Sequence, residues 1–226
     1  MSDFGKGPTK GGLDAVGIKT KGNVYWNLDP AALVELAIRR GEGEFAHNGA
    51  LVTRTGERTG RSPNDRFIVR EPSSEGKIAW GNVNRPMEPE VFDRMHQKLA
   101  AHLSDKDLFV QDLWGGADPS YRLPIRVISQ DAWHSVFARQ LFVRDDLDAR
   151  FQTEPAFTVI NGWKLKAKGK DDGLQSEVFV LMNLAKRVVL IGGTGYAGEM
   201  KKSIFAVLNY ILPQKGVLSM HCSANV

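Results

Sequence analysis

The sequence predicts an α/β fold, a mixed β-sheet packed by helices, on three observations. Apolar runs of strand length recur at residues 50–53, 67–70, 122–129, 157–160, 177–183, 187–191 and 217–226, each short and bounded by turn residues. Between them lie segments with apolar residues every three or four positions, the signature of amphipathic helices that cover a sheet. No internal repeat is present, so a layered globule is expected and not a solenoid.

The totals agree with such a globule. At 226 residues, with 42% hydrophobic and 25% charged residues, the chain can bury a substantial core as one large domain or two small ones. Its net charge of +4 comes from 30 basic against 26 acidic residues. That mild excess suits an anionic small molecule as well as a nucleic acid. A single cysteine, Cys222, excludes an internal disulfide framework and suits a reducing, cytoplasmic setting. No apolar run approaches the roughly 18 residues of a membrane span, and the start lacks the apolar core of a signal peptide.

Residues 1–22 are rich in Gly, Lys and polar side chains, which predicts a flexible arm with little structure of its own before an α/β domain over residues 23–226. Asp29-Pro30 then opens a helix: the carboxylate caps it, proline takes its first position, Leu33, Leu36 and Ala37 repeat on one stripe, and Gly41 stops it. Pro89 starts a second helix, with Phe92, Met95, Leu99 and Leu103 on one stripe. His96 and His102, six residues apart, face different directions and are read as surface or satisfied histidines. Gln130-Asp131 opens a third helix through Phe142, in which Trp133, Val136, Phe137 and Leu141 are expected in the core. The last helix, residues 198–212, turns Ile204, Phe205, Leu208 and Ile211 inward. Residues 217–226 are expected to return as a strand.

Two stretches carry more chemistry than a fold requires. Residues 54–66 join the expected strands at 50–53 and 67–70 and hold four arginines, two glycines, a proline and several hydroxyls. A hairpin needs no such concentration of guanidinium groups, and arginine grips a carboxylate or phosphate with two parallel bonds. A solvated basic loop is the plainer alternative. Nucleic-acid binding would favour interleaved aromatics or a basic helix, and neither is present.

The second stretch runs from Val188 to Ser203, where an apolar strand breaks at Gly192-Gly193 and a helix opens at once. Backbone amides and the helix dipole make such a corner attractive to anions. Lys201 and Lys202 stand in its first turn, where a cation does not help the helix, which suggests service to a ligand. The Gly193-x-Gly195-x-x-Gly198 spacing invites a dinucleotide reading, but no acidic residue follows Glu199, and Glu199 stands where a phosphate loop needs lysine. His221, in the final segment, is either a satisfied core histidine or a neutral nitrogen ligand. A lysine such as Lys202 joins a metal site only as the neutral amine, a form that neighbouring cations favour.

Thr59-Gly-Arg-Ser-Pro-x-Asp65, Gly192-Gly-Thr-x-Tyr-x-Gly-Glu-Met-Lys-Lys202, Asn209-Tyr-x-Leu-Pro213 and Met220-His-Cys-Ser-Ala-Asn-Val226 together resemble ATP-dependent phosphoenolpyruvate carboxykinase. Asp112, Gly115-Gly-Ala-Asp-Pro119 and Arg122-Leu-x-x-Arg126 fit as well, and the likeness runs in order from about Leu13 to Val226. The resemblance implies the N-terminal, substrate-binding domain of that fold, with the nucleotide-binding C-terminal domain, and the family's phosphate loop, expected to be absent from this sequence.

By the same resemblance, Arg61 grips the substrate carboxylate, and Tyr196 lies beside phosphoenolpyruvate or the released CO2. Lys202 and His221 are ligands of a catalytic Mn2+ and approach the nucleotide γ-phosphate, with Mg2+ accompanying the nucleotide. Arg61 and Lys202 are thereby the candidate catalytic residues. The family, a carboxy-lyase of gluconeogenesis, converts oxaloacetate and ATP to phosphoenolpyruvate, CO2 and ADP. The implied protein is monomeric, binds neither nucleic acid nor membrane, and is expected to be inactive as this portion alone. A non-catalytic anion-binding module is the main alternative, and a basic nucleic-acid-binding domain a more distant one.

Overall fold

The computed structural model describes residues 2–8, 10–144, 147–223 and 225. In chain order the strands are β1 (Asp3–Gly5), β2 (Val24–Trp26), β3 (Gly43–Phe45), β4 (Leu51–Thr53), β5 (Arg66–Val69), β6 (Arg85–Met87), β7 (Leu108–Gly115), β8 (Leu123–Ser129), β9 (Phe157–Asn161), β10 (Phe179–Asn183) and β11 (Val188–Gly192). The helices are α1 (Pro30–Arg39), α2 (Pro89–Leu103), α3 (Ala132–Leu141), α4 (Leu147–Gln152) and α5 (Gly198–Ile211). Nine strands form one sheet in the order β1-β2-β7-β8-β9-β11-β10-β5-β6, while β3 and β4 pair separately. Within the large sheet β7–β8 and β10–β11 are antiparallel, and the remaining pairs are parallel. The sheet is therefore mixed and carries helices, as the sequence predicts.

Both faces are covered, which explains why the central strands read as unbroken apolar runs. Successive strand side chains point to opposite faces. Val189 and Ile191 accordingly join Val180 and Met182 under α1, α3 and α5, whereas Val188 and Leu190 join Phe179 and Leu181 under α2. The α1 start follows its sequence: Asp29 Oδ1 accepts the Ala32 amide at 2.9 Å, and Pro30 takes the first helical position. Phe92, Met95, Leu99 and Leu103 are the buried stripe of α2.

Three expectations need correction. The described residues of 1–22, expected to have little structure of their own, include β1, which pairs in parallel with β2, and Leu13 and Ile18, which are buried in the α2-side core. The two strands expected on either side of the arginine-rich stretch are present but are not partners of each other: β4 pairs with β3, while β5 lies between β10 and β6. Leu141, placed in the core by its helical spacing, is 36% exposed at the end of α3. The described residues of 217–226 form no strand, and Leu218 and Met220 are 78% and 61% exposed; Ala224 and Val226 lie outside the described residues. Apolar residues alone do not make a strand where no sheet edge accepts them.

Candidate anion-binding site

The site begins where β11 ends. Gly193 adopts φ +71°, and a Cβ there would stand 2.2 Å from the Glu177 carbonyl oxygen, so the corner requires glycine. A Cβ on Gly195 would come within 2.8 Å of the Thr55 carbonyl oxygen. That close approach brings the arginine-rich segment against the corner. A second tie lies one turn on, where Glu199 Oε1 accepts the Ser62 amide at 2.6 Å. From the other side His134 Nε2 lies 3.0 Å from the Gly195 carbonyl oxygen and donates to it. The arginine-rich bend and the glycine–lysine corner, far apart in sequence, therefore meet.

Arg61 and Lys202 line one cavity of about 420 Å³, together with Arg66 and Lys77, over a floor that includes Ile68, Met182 and Phe205. No Asp or Glu is among the described residues that line it. Lys202 Nζ lies 3.2 Å from His221 Nε2. Phe205 supports both, its ring 5.1 Å from the ammonium and edge-on to the imidazole at 5.4 Å. Tyr196 stands on the corner itself, its ring against Gly198 at the start of α5, and it is not among the residues lining the cavity. Lys201 is exposed on the first turn of the helix. Some corner amides are already engaged: Tyr196 donates to Thr194 Oγ1, Glu199 to the Tyr196 carbonyl and Met200 to the Ala197 carbonyl.

The charges act on one another. Partial desolvation, then Arg61 and Lys201, hold the Lys202 ammonium below the usual lysine range, which favours the neutral amine that a metal requires. Burial pushes the Glu199 carboxyl up, against the Ser62 amide and the Arg61 and Arg66 charges that favour its ionised form. Burial likewise lowers Arg66, helped by Arg61 and opposed by Glu199. His134, fully buried and stacked at 3.7 Å on Trp133, is lowered to about 4 by burial, so it is neutral at pH 7.

Of the residues expected from the sequence, Arg61 and Lys202 line one cavity, His221 lies beside Lys202, and Tyr196 stands on the corner outside that lining; Glu199 and His134, which tie the corner together, were not among them. In the sequence Glu199 stands out as a mismatch to a phosphate loop and as part of the Gly192–Lys202 motif, and His134 lies within a helix of core spacing. His96 and His102 are satisfied, by the Val16 carbonyl oxygen and by Gln130 Oε1, each at 2.9 Å. Lys202 and His221 offer two adjacent nitrogen donors that suit a divalent cation. No group of three or more His, Cys, Asp or Glu that could hold a metal occurs among the described residues.

This arrangement, a cationic cavity between an arginine-rich bend and a glycine–lysine corner, has the charge and size that suit a small anion. The phosphoenolpyruvate carboxykinase family model matches residues 22–226, and the chain belongs to that family. It is 53% identical over 215 residues to "Phosphoenolpyruvate carboxykinase (ATP) 2" of Moorella thermoacetica, a match covering 95% of this chain and 41% of that protein. It is 50% identical over 214 residues to "Phosphoenolpyruvate carboxykinase (ATP)" of Geobacter sp. strain M21, covering 95% and 40%. The protein of the same name from Thermus thermophilus is 49% identical over 221 residues, covering 95% and 41%. The chain thus spans about 41% of the length of the curated relatives it matches.

Proposed function

We propose that this chain provides the substrate-carboxylate side, and part of the metal and phosphate side, of an ATP-dependent phosphoenolpyruvate carboxykinase. One observation carries the reading: Arg61 and Lys202 face the same acid-free cavity, with His221 Nε2 at 3.2 Å from Lys202 Nζ. Arg61 takes a carboxylate of oxaloacetate in its guanidinium fork. Tyr196, on the corner, lies beside the carbon skeleton and the departing CO2. Loss of CO2 breaks a C–C bond and leaves its electron pair as an enolate. The enolate oxygen then attacks the γ-phosphorus of ATP, and ADP departs.

Every reactant is an anion, so placement and charge compensation supply most of the rate enhancement. Lys202 and His221 would hold a divalent cation, proposed to be Mn2+, with Mg2+ accompanying the nucleotide. When bound, the cation compensates negative charge on oxygens. Two nitrogens supply only part of the coordination of such a cation, and the 226 residues alone are proposed not to turn over. The protein is proposed to be monomeric and cytoplasmic and to bind no nucleic acid. No helix among the described residues is long and apolar enough to cross a membrane.

Calorimetry with oxalate, a small dicarboxylate, tests the reading. Oxalate is expected to bind, more tightly with Mn2+ present, and the Mn2+ effect is expected to vanish in His221→Ala. Equal oxalate affinity with and without Mn2+ would reduce the site to a plain anion-binding module.

A further inference from the structure

Resting on that reading, we infer that Glu199 is a positioning residue: its carboxylate latches the arginine-rich segment to the first turn of α5 and so sets where Arg61 stands relative to Lys202. Residues 54–65 contain no strand, and their regular structure is limited to a short 3-10 turn at Pro63–Asp65. The segment is anchored near its ends, by Thr55 against Gly195 and by Asp65 Oδ1, which accepts the Ser176 hydroxyl at 2.8 Å. Between those anchors Glu199 Oε1 takes the amide of Ser62, the residue next to Arg61.

Glu199 precedes Lys202 by three positions, neighbours along one helix face. A single side chain therefore ties both proposed ligand-binding cations to one rigid element. An acid in the first turn also suits the helix dipole, but a side chain serving only the dipole would sit in water. This residue is 4% exposed, and its hydrogen-bonded partner Ser62 is buried too. A buried carboxylate needs donors and cations beside it, and the Ser62 amide, Arg61 and Arg66 offset part of the burial cost here. Glu199 does not line the cavity, so its influence on a ligand passes through Arg61.

Three variants of the chain separate the possibilities, read by amide hydrogen exchange over residues 54–66 and by oxalate calorimetry. Glu199→Ala removes the acceptor, Glu199→Asp keeps the charge but withdraws it by one methylene, and Glu199→Gln keeps a carbonyl oxygen in place. In the Ala and Asp variants, exchange at Ser62 is expected to quicken and oxalate binding to weaken, each by about tenfold, the factor that follows from losing one hydrogen bond to a charged group. In Glu199→Gln most of the protection is expected to return, with oxalate affinity within about threefold of the parent. Exchange in α2 should be the same in all.

Unchanged Ser62 exchange in Glu199→Ala, or in Glu199→Asp should the first fail to fold, overturns the latch. Faster exchange with unchanged oxalate affinity overturns its positioning role. A parent chain that binds no oxalate at all refutes the functional reading instead, and exchange at Ser62 then decides the latch by itself.

Discussion

Asp112 between Arg126 and Arg150, and Glu199 beside Arg61 and Arg66, each set one carboxylate against two guanidinium groups, yet the two places use that charge differently. Asp112 is fully buried. Its Oδ1 and Oδ2 take Arg126 Nε and Nη2 at 2.8 and 3.1 Å, and Arg150 Nη2 lies 3.3 Å from Oδ1. Four further guanidinium hydrogens go to backbone carbonyls of Gly11, Leu113, Thr153 and Ile125. Burial lowers Arg150 to about 10, which leaves it charged at pH 7.

At the corner the carboxylate bonds instead to a backbone amide, Arg61 is exposed, and the buried Arg66 Nε has no partner among the described residues. Guanidinium groups tied to a buried carboxylate and to backbone carbonyls belong to the fold, whereas donors left open beside a cavity are available to a ligand.

The sharpest way to break this contrast is Asp112→Asn, which leaves two buried guanidinium groups without their counter-charge. A loss of about 3–5 kcal/mol is expected, as for other buried pairs deprived of one partner. Urea unfolding should show it, while oxalate affinity per folded molecule stays at the parent value. An equally stable variant would mean that the buried trio is not structural.

His134 tests whether the corner is also held from below. Its folded pKa of about 4 lies under the ordinary histidine value of 6.5, because burial resists the proton. The unfolded chain accepts that proton first, so the contribution to stability is complete above about pH 6.5 and is lost as pH falls towards about 4, roughly 3 kcal/mol in all. Asp131 and Lys164 face the ring with opposite signs, and Glu42 and Glu199, both raised by burial, act in the opposite pH direction. The comparison is therefore parent minus His134→Gln: between pH 7 and pH 5 the parent should lose about 2 kcal/mol more stability than the variant, the share that belongs to the imidazole. A parallel pH dependence in both proteins would remove His134 from the account.

The same contrast explains what the sequence could reveal. The central strands and α1, α2 and α5 are legible because apolar spacing and caps are local signals: Asp29-Pro30 announces α1, and Val188 to Ile191 can hardly be anything but a buried strand. Arg61 and Lys202 are legible as well, since charge crowded against glycine is unusual wherever it sits. The short strand β1 is not, because its three residues are all exposed and are defined by pairing with β2. Glu199 and His134 escape notice for a related reason. Their partners, Ser62 and Gly195, lie 137 and 61 positions away, and nothing in a single sequence marks such a bond. The misplaced final strand shows the converse, since Leu218 and Met220 carry a strand's composition without a partner to pair with.

Arg61→Lys sharpens the contrast from the ligand side. It preserves charge and loses the two-bond fork, so oxalate binding should weaken by roughly 1.5–3 kcal/mol. Because Arg61 is exposed, the unfolding midpoint should not move. Unchanged affinity would transfer the carboxylate grip elsewhere, with Arg66 the first residue to examine.

The smallest effect has the most telling sign. Lys201, exposed on the first turn of α5, sets a positive charge against the positive end of the helix dipole, an arrangement that costs about 0.3–1 kcal/mol. Lys201→Gln should therefore raise stability by that amount while weakening oxalate binding, the two changes running in opposite directions. At the Asp112 trio no substitution is expected to move stability and binding in opposite directions, because its charges are already paired with one another. A Lys201→Gln protein that is less stable, or that binds oxalate as tightly as the parent, would mean that this lysine serves the helix and not the ligand.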